Sequence, residues 1–403
     1  MPKSKLILLS GLAFLFGVFT AALAWNFYLA LVISSGISAT TLYFYLKRHS
    51  IFCDRRRCYA IIFSVAAITA VSFFYHNFYV NLKETRPKIE SEPSRLEQKL
   101  TAFKETQINH FRIALPLNSA ALLAGETFGE RGDFSQEFKE QMNRSGTTHI
   151  VALSGYNIAI LVLAISTALG SFLSRRKTFI ITAIVIILFV IMVGGGASII
   201  RAAAMGFLVL LAKELGRPYD LTNAIILTAC LMALINPTIL IEDIGFQLSF
   251  FSLLGIVYLE PVIKKLLHVK EGTGLLGWRE NATMTLSAQA FVTPLLILHF
   301  NQFSLTAIPA NILILEVVPL TMFFGFLLSA LSSMFQVIGF LAAKLVNILL
   351  LYQILVIKTF SLIHVPIPSV LASRTFVFIY YLAIFLLILW FKKRSRKSPV
   401  APS

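Results

Sequence analysis

The chain has 403 residues and a net charge of +16. Hydrophobic residues make up 57% of it, charged residues only 13%, and its mean hydropathy is +0.80. Soluble domains carry about 25% charged residues, so the composition excludes an ordinary soluble protein and predicts an all-α polytopic membrane protein.

Helices that cross the hydrocarbon of a bilayer need about 20 apolar residues, and the sequence offers about 10–12 such segments. The first follows the charged start MPKSK, and its apolar run is too long for a cleavable signal peptide. Glu316 and Pro319 interrupt the region 305–363, which leaves the number of helices there open by one or two. The predicted spans are 6–24, 26–46, 59–79, 150–171, 179–194, 198–214, 221–237, 244–263, 282–300, 305–335, 338–362 and 373–391.

The basic residues are concentrated in short loops. KRHSIFCDRRR (47–57), SRRK (174–177) and the tail FKKRSRK (391–397) are strongly basic, whereas the long hydrophilic stretch 80–148 contains ten Lys/Arg and ten Asp/Glu. Short basic loops stay in the cytoplasm, while a long neutral segment is free to cross. This pattern predicts cytoplasmic termini and an external segment 80–148; DNA binding at the cytoplasmic face is an alternative interpretation of the same charges.

These features divide the chain into four predicted parts. They are N-terminal transmembrane helices (1–79), an extracytoplasmic amphipathic helical segment (80–148), the main transmembrane domain (149–391) and a basic cytoplasmic tail (392–403).

The segment 80–148 is predicted to be helical rather than a strand-rich domain. Ser94 and Glu97 have the spacing of a capping box, and Pro116 ends the helix that they begin. Two short helices follow, separated by GERGD. The first helix is expected to lie on the membrane surface or on the bundle of spans, because its apolar residues share one face. Those residues are Leu96, Leu100, Phe103, Ile108 and Phe111.

The cysteines predict no metal site. Cys53 and Cys58 lie five residues apart in a basic loop, and no His or Cys cluster nearby completes a zinc site. No cofactor is predicted.

Polar residues within the predicted spans are candidates for a substrate pathway, because such residues are costly in a bilayer and tend to mark function. Several of them are three or four residues apart and so share a helix face. The triple glycine 194–196, just before Ser198, predicts a broken or tightly packed helix. The candidates are His149, Ser154, Gly155, Asn157, Ser198, Arg201, Asp243, Gln247, Ser249 and Asn311.

Two structural alternatives and one catalytic alternative remain open at these positions. Ser and Asn within spans often only join helices by hydrogen bonds, and Arg201 with Asp243 would also fit a structural ion pair. Ser154 beside Gly155 would fit an intramembrane serine hydrolase. However, the motif reads A-L-S-G rather than G-x-S-G, and no general base is marked.

Three blocks of sequence together resemble the competence membrane domain of the ComEC family. They are HIVALSGYNIAIL, GGGASIIRAAAMG and, after Asn236-Pro237, EDIGFQLSF. The resemblance covers roughly residues 94–335. One position departs from it, because Asn157 stands where the family usually has His.

The resemblance implies a channel rather than an enzyme, placed in the bacterial cytoplasmic (inner) membrane and passing single-stranded DNA into the cell. The implied partners are membrane lipid, single-stranded DNA, DNA-uptake proteins and a separate nuclease. We expect neither the OB-type domain nor the metallo-β-lactamase-like domain that family members often carry. A membrane scaffold for the uptake machinery is a further interpretation.

Overall fold

A computed structural model describes residues 3–23, 36, 55–85, 93–130, 132, 134–148, 155–267, 278–300, 304, 306–334, 336–363 and 373–395. Within these ranges the regular structure is helical, and no strand is present. The predicted class, an all-α polytopic membrane protein, is confirmed.

The helices follow one another with short connections. In chain order they are α1 (Lys3–Leu23), α2 (Arg55–Thr85), α3 (Arg95–Ala114), α4 (Leu117–Phe128), α5 (Gln136–Ser145), α6 (Gly155–Gly170), α7 (Arg175–Val193), α8 (Ala197–Glu214), α9 (Leu221–Ile235), α10 (Ile239–Glu242), α11 (Ile244–Leu254), a π-helical turn (Gly255–Leu259), α12 (Glu260–Leu266), α13 (Trp278–Phe300), α14 (Ala307–Leu315), α15 (Val318–Met334), α16 (Gln336–Ser361) and α17 (Arg374–Ser395).

Five described helical segments are long and apolar enough to cross a membrane, and a bent pair makes a sixth if it counts as one span. The five are Ile61–Lys83, Arg175–Val193, Ile244–Leu266, Ala282–His299 and Ala342–Ser361. Four shorter apolar helices are Leu8–Leu23, Gly155–Gly170, Leu221–Ile235 and Thr375–Phe391. Apart from residue 36, the predicted span 26–46 lies outside the described residues, as does the start of the span predicted at 150–171.

The single span predicted at 305–335 is instead two helices. α14 and α15 meet at a bend of 48° after Glu316, the residue that caps α14. Pro319 lies in the first turn of α15, where its missing N–H is tolerated but where it cannot continue a preceding helix. The two residues that interrupted the sequence pattern therefore mark the break.

One compact unit comprises Met1–Pro93, Ser174–Phe179 and Ala203–Gln247. In this unit α1 packs along α2 and α9 through small residues. A Cβ on Gly17 would overlap Ser72 Oγ and the carbonyl oxygen of Thr69, and a Cβ on Gly11 would lie 3.3 Å from Cys230 Sγ. Glycine thus lets these backbones approach closely, as is common between helices in membranes.

The other compact unit comprises Ser94–Leu173, Ile180–Ala202 and Leu248–Ser403. Its core is built around α4, in which every residue from Ser119 to Phe128 is buried. α4 packs against α3, α15 and α16, and the cluster of buried apolar residues includes Leu122 and Leu123 on α4 with Met322 and Leu350 opposite.

Local chemistry sets the helix ends between residues 94 and 146, as the sequence predicted. The Ser94 hydroxyl accepts from Glu97 N at 3.2 Å, and Ser94 N donates to the Glu97 carboxylate at 2.6 Å, which confirms the capping box. α3 ends at Ala114, before Pro116, and α4 and α5 are the two short helices on either side of GERGD.

The apolar face of α3 is only partly covered. Ile108 and Phe111 are buried against the unit's core, whereas Leu96 and Phe103 are about half exposed (48% and 52%). The C-terminal half of α3 therefore packs on the helix bundle, and its N-terminal half presents apolar side chains outward.

Two departures from regular α-helix occur at glycines. Gly194 and Gly195 have φ values of 88° and 59°, in the left-handed region, and they separate α7 from α8. The break predicted from the triple glycine is therefore present. In the π-helical turn, a Cβ on Gly255 would overlap the carbonyl oxygen of Ser287 on α13, so that only glycine fits there.

Candidate functional site

Two of the predicted pathway residues, Gly155 and Arg201, lie side by side. Arg201 is on α8 and is only 7% exposed, and Gly155 is the first residue of α6. A Cβ placed on Gly155 would lie 2.6 Å from Arg201 Nη2 and 3.5 Å from Arg201 Cζ. The guanidinium of Arg201 therefore occupies the space that a side chain at position 155 would fill.

Two small residues lie beside this guanidinium. Ala202 Cβ would lie 3.6 Å from a Cβ on Gly155, and Ala202 is buried. A buried guanidinium is costly unless hydrogen bonds or opposite charge compensate for lost hydration. A buried positive charge beside small residues is suited to holding an anionic group.

Asn157, two residues further along α6, joins two helices. Its side chain is 2% exposed, and Nδ2 donates to the backbone carbonyl of Glu126 on α4 at 2.9 Å. This contact is the interhelical hydrogen bond that the sequence left open as an alternative. The amide of Asn157 thus fastens α6 to the core helix α4.

Glu126 is a buried polar residue that the sequence analysis missed. Its side chain is fully buried on α4, beside Gln353 of α16, and Gln353 Nε2 donates to Thr321 Oγ1 of α15 at 2.9 Å. Burial raises the pKa of Glu126 to about 8, and the neighbouring side-chain amide of Gln353 opposes only part of that increase. The signal was available, since an acid stands within the apolar run ALLAGETF.

Asp243 and Gln247 both shape the turn between α10 and α11. Asp243 Oδ1 accepts from Phe246 N at 2.8 Å, and Gln247 Nε2 donates to the carbonyls of Ile241 (2.8 Å) and Leu240 (3.2 Å). Asp243 and Arg201 belong to different compact units, so the ion pair suggested for them stays a prediction.

The remaining predicted residues are spread over several elements. Ser198 is half-buried at the start of α8, Ser249 is buried on α11, and Asn311 is buried on α14. His149 and Ser154 lie outside the described residues, so the hydrolase interpretation stays a prediction. Among the residues that the structure describes, no group of three or more His, Cys, Asp or Glu could hold a metal ion.

The helices and the buried polar side chains define a multi-pass helical membrane protein with polar groups held inside its helix bundle. A family model described as "Competence protein" matches residues 127–394, and the chain belongs to that family. This confirms the resemblance to the ComEC type. The matched region begins within α4, immediately after Glu126, and contains Gly155, Asn157 and Arg201.

One curated relative is the ComE operon protein 3 of Bacillus subtilis (strain 168), which is 28% identical over 226 residues. The match covers 55% of this chain and 28% of that protein, so the chain corresponds to only part of the relative's length. No solved structure matches the chain.

Proposed function

We propose that the chain forms a membrane channel that passes single-stranded DNA across the bacterial cytoplasmic membrane, with both termini in the cytoplasm. The observation that carries the proposal is the buried guanidinium of Arg201 against Gly155, within the region that matches the competence family. Family membership supports a role in DNA uptake, and Arg201 supplies a group whose chemistry suits a phosphate strand.

A nucleic-acid strand brings a phosphate charge at every nucleotide, and hydrocarbon offers nothing to balance it. Arginine presents several N–H donors in a rigid planar fork that matches phosphate oxygens, and it stays charged when buried. The small neighbours Gly155 and Ala202 let the guanidinium pack closely against the start of α6. These properties fit a site at which successive phosphates pass.

The same proposal includes the surroundings of the channel. The basic loops 47–57 and 174–177 and the tail would face the cytoplasm, and the partners would be membrane lipid, the DNA strand, DNA-uptake proteins and a separate nuclease. The proposed activity is transport without chemistry on the DNA.

A transformation assay in a strain that lacks the chromosomal gene tests the role of Arg201. Plasmid-borne Arg201→Ala should reduce transformation on the order of 10- to 100-fold, since a hydrogen bond to a charged group contributes about 1.5–3 kcal/mol. Arg201→Lys should recover part of the loss because it keeps the charge. The matched control is Arg176→Ala, which removes an exposed arginine. Normal transformation by Arg201→Ala at wild-type membrane levels would exclude this role.

Gly155→Ala tests the space beside the guanidinium without removing any charge. The added methyl group would meet Arg201 Nη2 at 2.6 Å and push the guanidinium from its position. Gly170→Ala on the same helix is the control, because a Cβ there has no neighbour within 4 Å. Uptake of labelled DNA should fall for Gly155→Ala alone; equal uptake by both variants would show that the position of Arg201 is unimportant.

A further inference from the structure

Glu126 lies at the centre of a small polar cluster inside an apolar core. The cluster contains Glu126 on α4, Thr321 on α15 and Gln353 on α16, all fully buried. The same three helices contribute apolar side chains to the buried core, including Leu122 and Leu123 on α4, Met322 on α15 and Leu350 on α16. A carboxyl group in this setting has lost its water and needs other partners.

Three side-chain oxygens of this cluster accept no well-aligned hydrogen bond from any described residue. They are both carboxyl oxygens of Glu126 and Oε1 of Gln353. A carboxylate can only accept hydrogen bonds, and so can an amide oxygen. A proton on Glu126 would supply the missing donor, because the neutral acid has an O–H group to offer to its neighbours.

No basic side chain neutralises Glu126 within the described part of the chain. Lys104 on α3 pairs with Glu130 at 2.9 Å, and Lys344 and Lys358 on α16 are exposed. α15 carries no titratable residue, and α6 carries only Tyr156. The other titratable or charged groups on the helices packed against α4 are Arg95, Glu97, Lys99, Glu105, His110 and Arg112 on α3 and Tyr352 on α16.

We propose that Glu126 is a proton-binding site whose occupancy is linked to the packing of α4 against α15 and α16. With the three helices packed together, the acid holds one proton and stays neutral. When the packing opens and water reaches the carboxyl group, the proton leaves and the carboxylate is stabilised by hydration. The bundle thus has a neutral closed form and an ionised open form, whatever substrate the channel carries.

Backbone contacts give this site a route to the predicted pathway. The carbonyl oxygen of Glu126 accepts from Asn157 Nδ2, and Asn157 lies two residues after Gly155, which contacts Arg201. A shift of α4 on loss of the proton would therefore pull directly on the start of α6.

Infrared difference spectroscopy on the purified full-length chain in lipid vesicles tests the site. The carbonyl stretch of a protonated, water-shielded carboxylic acid should be present near about pH 6 and should disappear as the pH rises through about 8. Glu126→Gln should abolish this band. The matched control Glu105→Gln, which changes an exposed acid on α3, should leave it unchanged.

Gln353→Leu provides a second variant in case Glu126→Gln does not fold. It removes the amide beside the acid, so the band should change frequency and its midpoint should move to higher pH, because the remaining polar support of the carboxylate is lost. Absence of the band near about pH 6, its persistence up to about pH 10, or its survival in Glu126→Gln would each overturn the proposal. An unchanged band in Gln353→Leu would do the same.

Discussion

The helices α2 and α4 show two different ways in which this chain uses apolar sequence. In α2 the apolar stretch Ile61–Lys83 is long enough to cross a membrane, yet only 28% of its most apolar window is buried within the protein. α4 has twelve residues and includes Ser119, Glu126 and Thr127, yet it is buried from Ser119 to Phe128. Hydropathy therefore identifies the helix that presents its side chains outward, whereas the centre of the core is a short helix of mixed composition.

Truncating one core side chain should have the largest effect on stability. Leu122→Ala on α4 removes a fully buried side chain and should lower the free energy of unfolding by about 2–5 kcal/mol, because it leaves a cavity. Phe63→Ala on α2 removes a larger side chain, but that side chain is 76% exposed. This substitution should change the free energy of unfolding by less than about 0.5 kcal/mol. Reversible unfolding in mixed micelles measures both. A larger loss for Phe63→Ala would reverse the comparison between the two helices.

Glu126 should make the stability of the core depend on pH. The folded-state pKa is raised to about 8 from an ordinary value of 4.5, so between these values the folded chain holds a proton that the unfolded chain has released. Stability should therefore fall as the pH rises from 4.5 to 8, by at most about 1.4 kcal/mol per pH unit. Unfolding measured across this range should show the slope in wild type and in Glu105→Gln but not in Glu126→Gln. A slope of the opposite sign would contradict the burial argument.

Gly17→Ala tests how closely α1 approaches α2. The new methyl group would overlap Ser72 Oγ and a backbone carbonyl of α2, which cannot move as a flexible side chain would. We expect a loss of about 1–3 kcal/mol by overpacking. Gly170→Ala, with open space around it, serves as the control in the same unfolding assay. If Gly17→Ala is as stable as its control, the contact between α1 and α2 is looser than described.

Ser94→Ala should have the smallest effect, because it acts only on the exposed start of α3. Loss of the capping hydroxyl should cost about 1 kcal/mol, with Ser94→Thr nearly neutral. Amide hydrogen exchange should rise for the first turn of α3 and stay constant in α4. Faster exchange in α4 would mean that the cap supports the core helix as well.

Local sequence rules predicted the helix ends well. The capping box at Ser94, the end of α3 before Pro116, and the break at Gly194–Gly195 all depend on neighbours within a few residues. Such features depend only on backbone geometry and short-range hydrogen bonds, and the types of neighbouring residues determine both.

The burial of α4 could not be predicted in the same way. Its partners α15 and α16 begin 190 and 208 residues after the end of α4, and packing across such separations has no local signature in sequence. Contacts within the candidate site could not be predicted either. Gly155 and Arg201 were both candidate residues, but their contact depends on how α6 packs against α8. The partner of Asn157 is a backbone carbonyl, which has no signature in sequence.

The π-helical turn at Gly255–Leu259 affects how residues 244–266 should be aligned with the sequences of other family members. A π turn holds one more residue than an α turn, so it rotates everything that follows by roughly 100°. Ser249 before the turn and the Glu260–Lys264 pair after it therefore do not follow one regular helical stripe. Alignments of family members should place single-residue insertions and deletions at 255–259, where one residue can be gained or lost while both flanking helices keep their own faces.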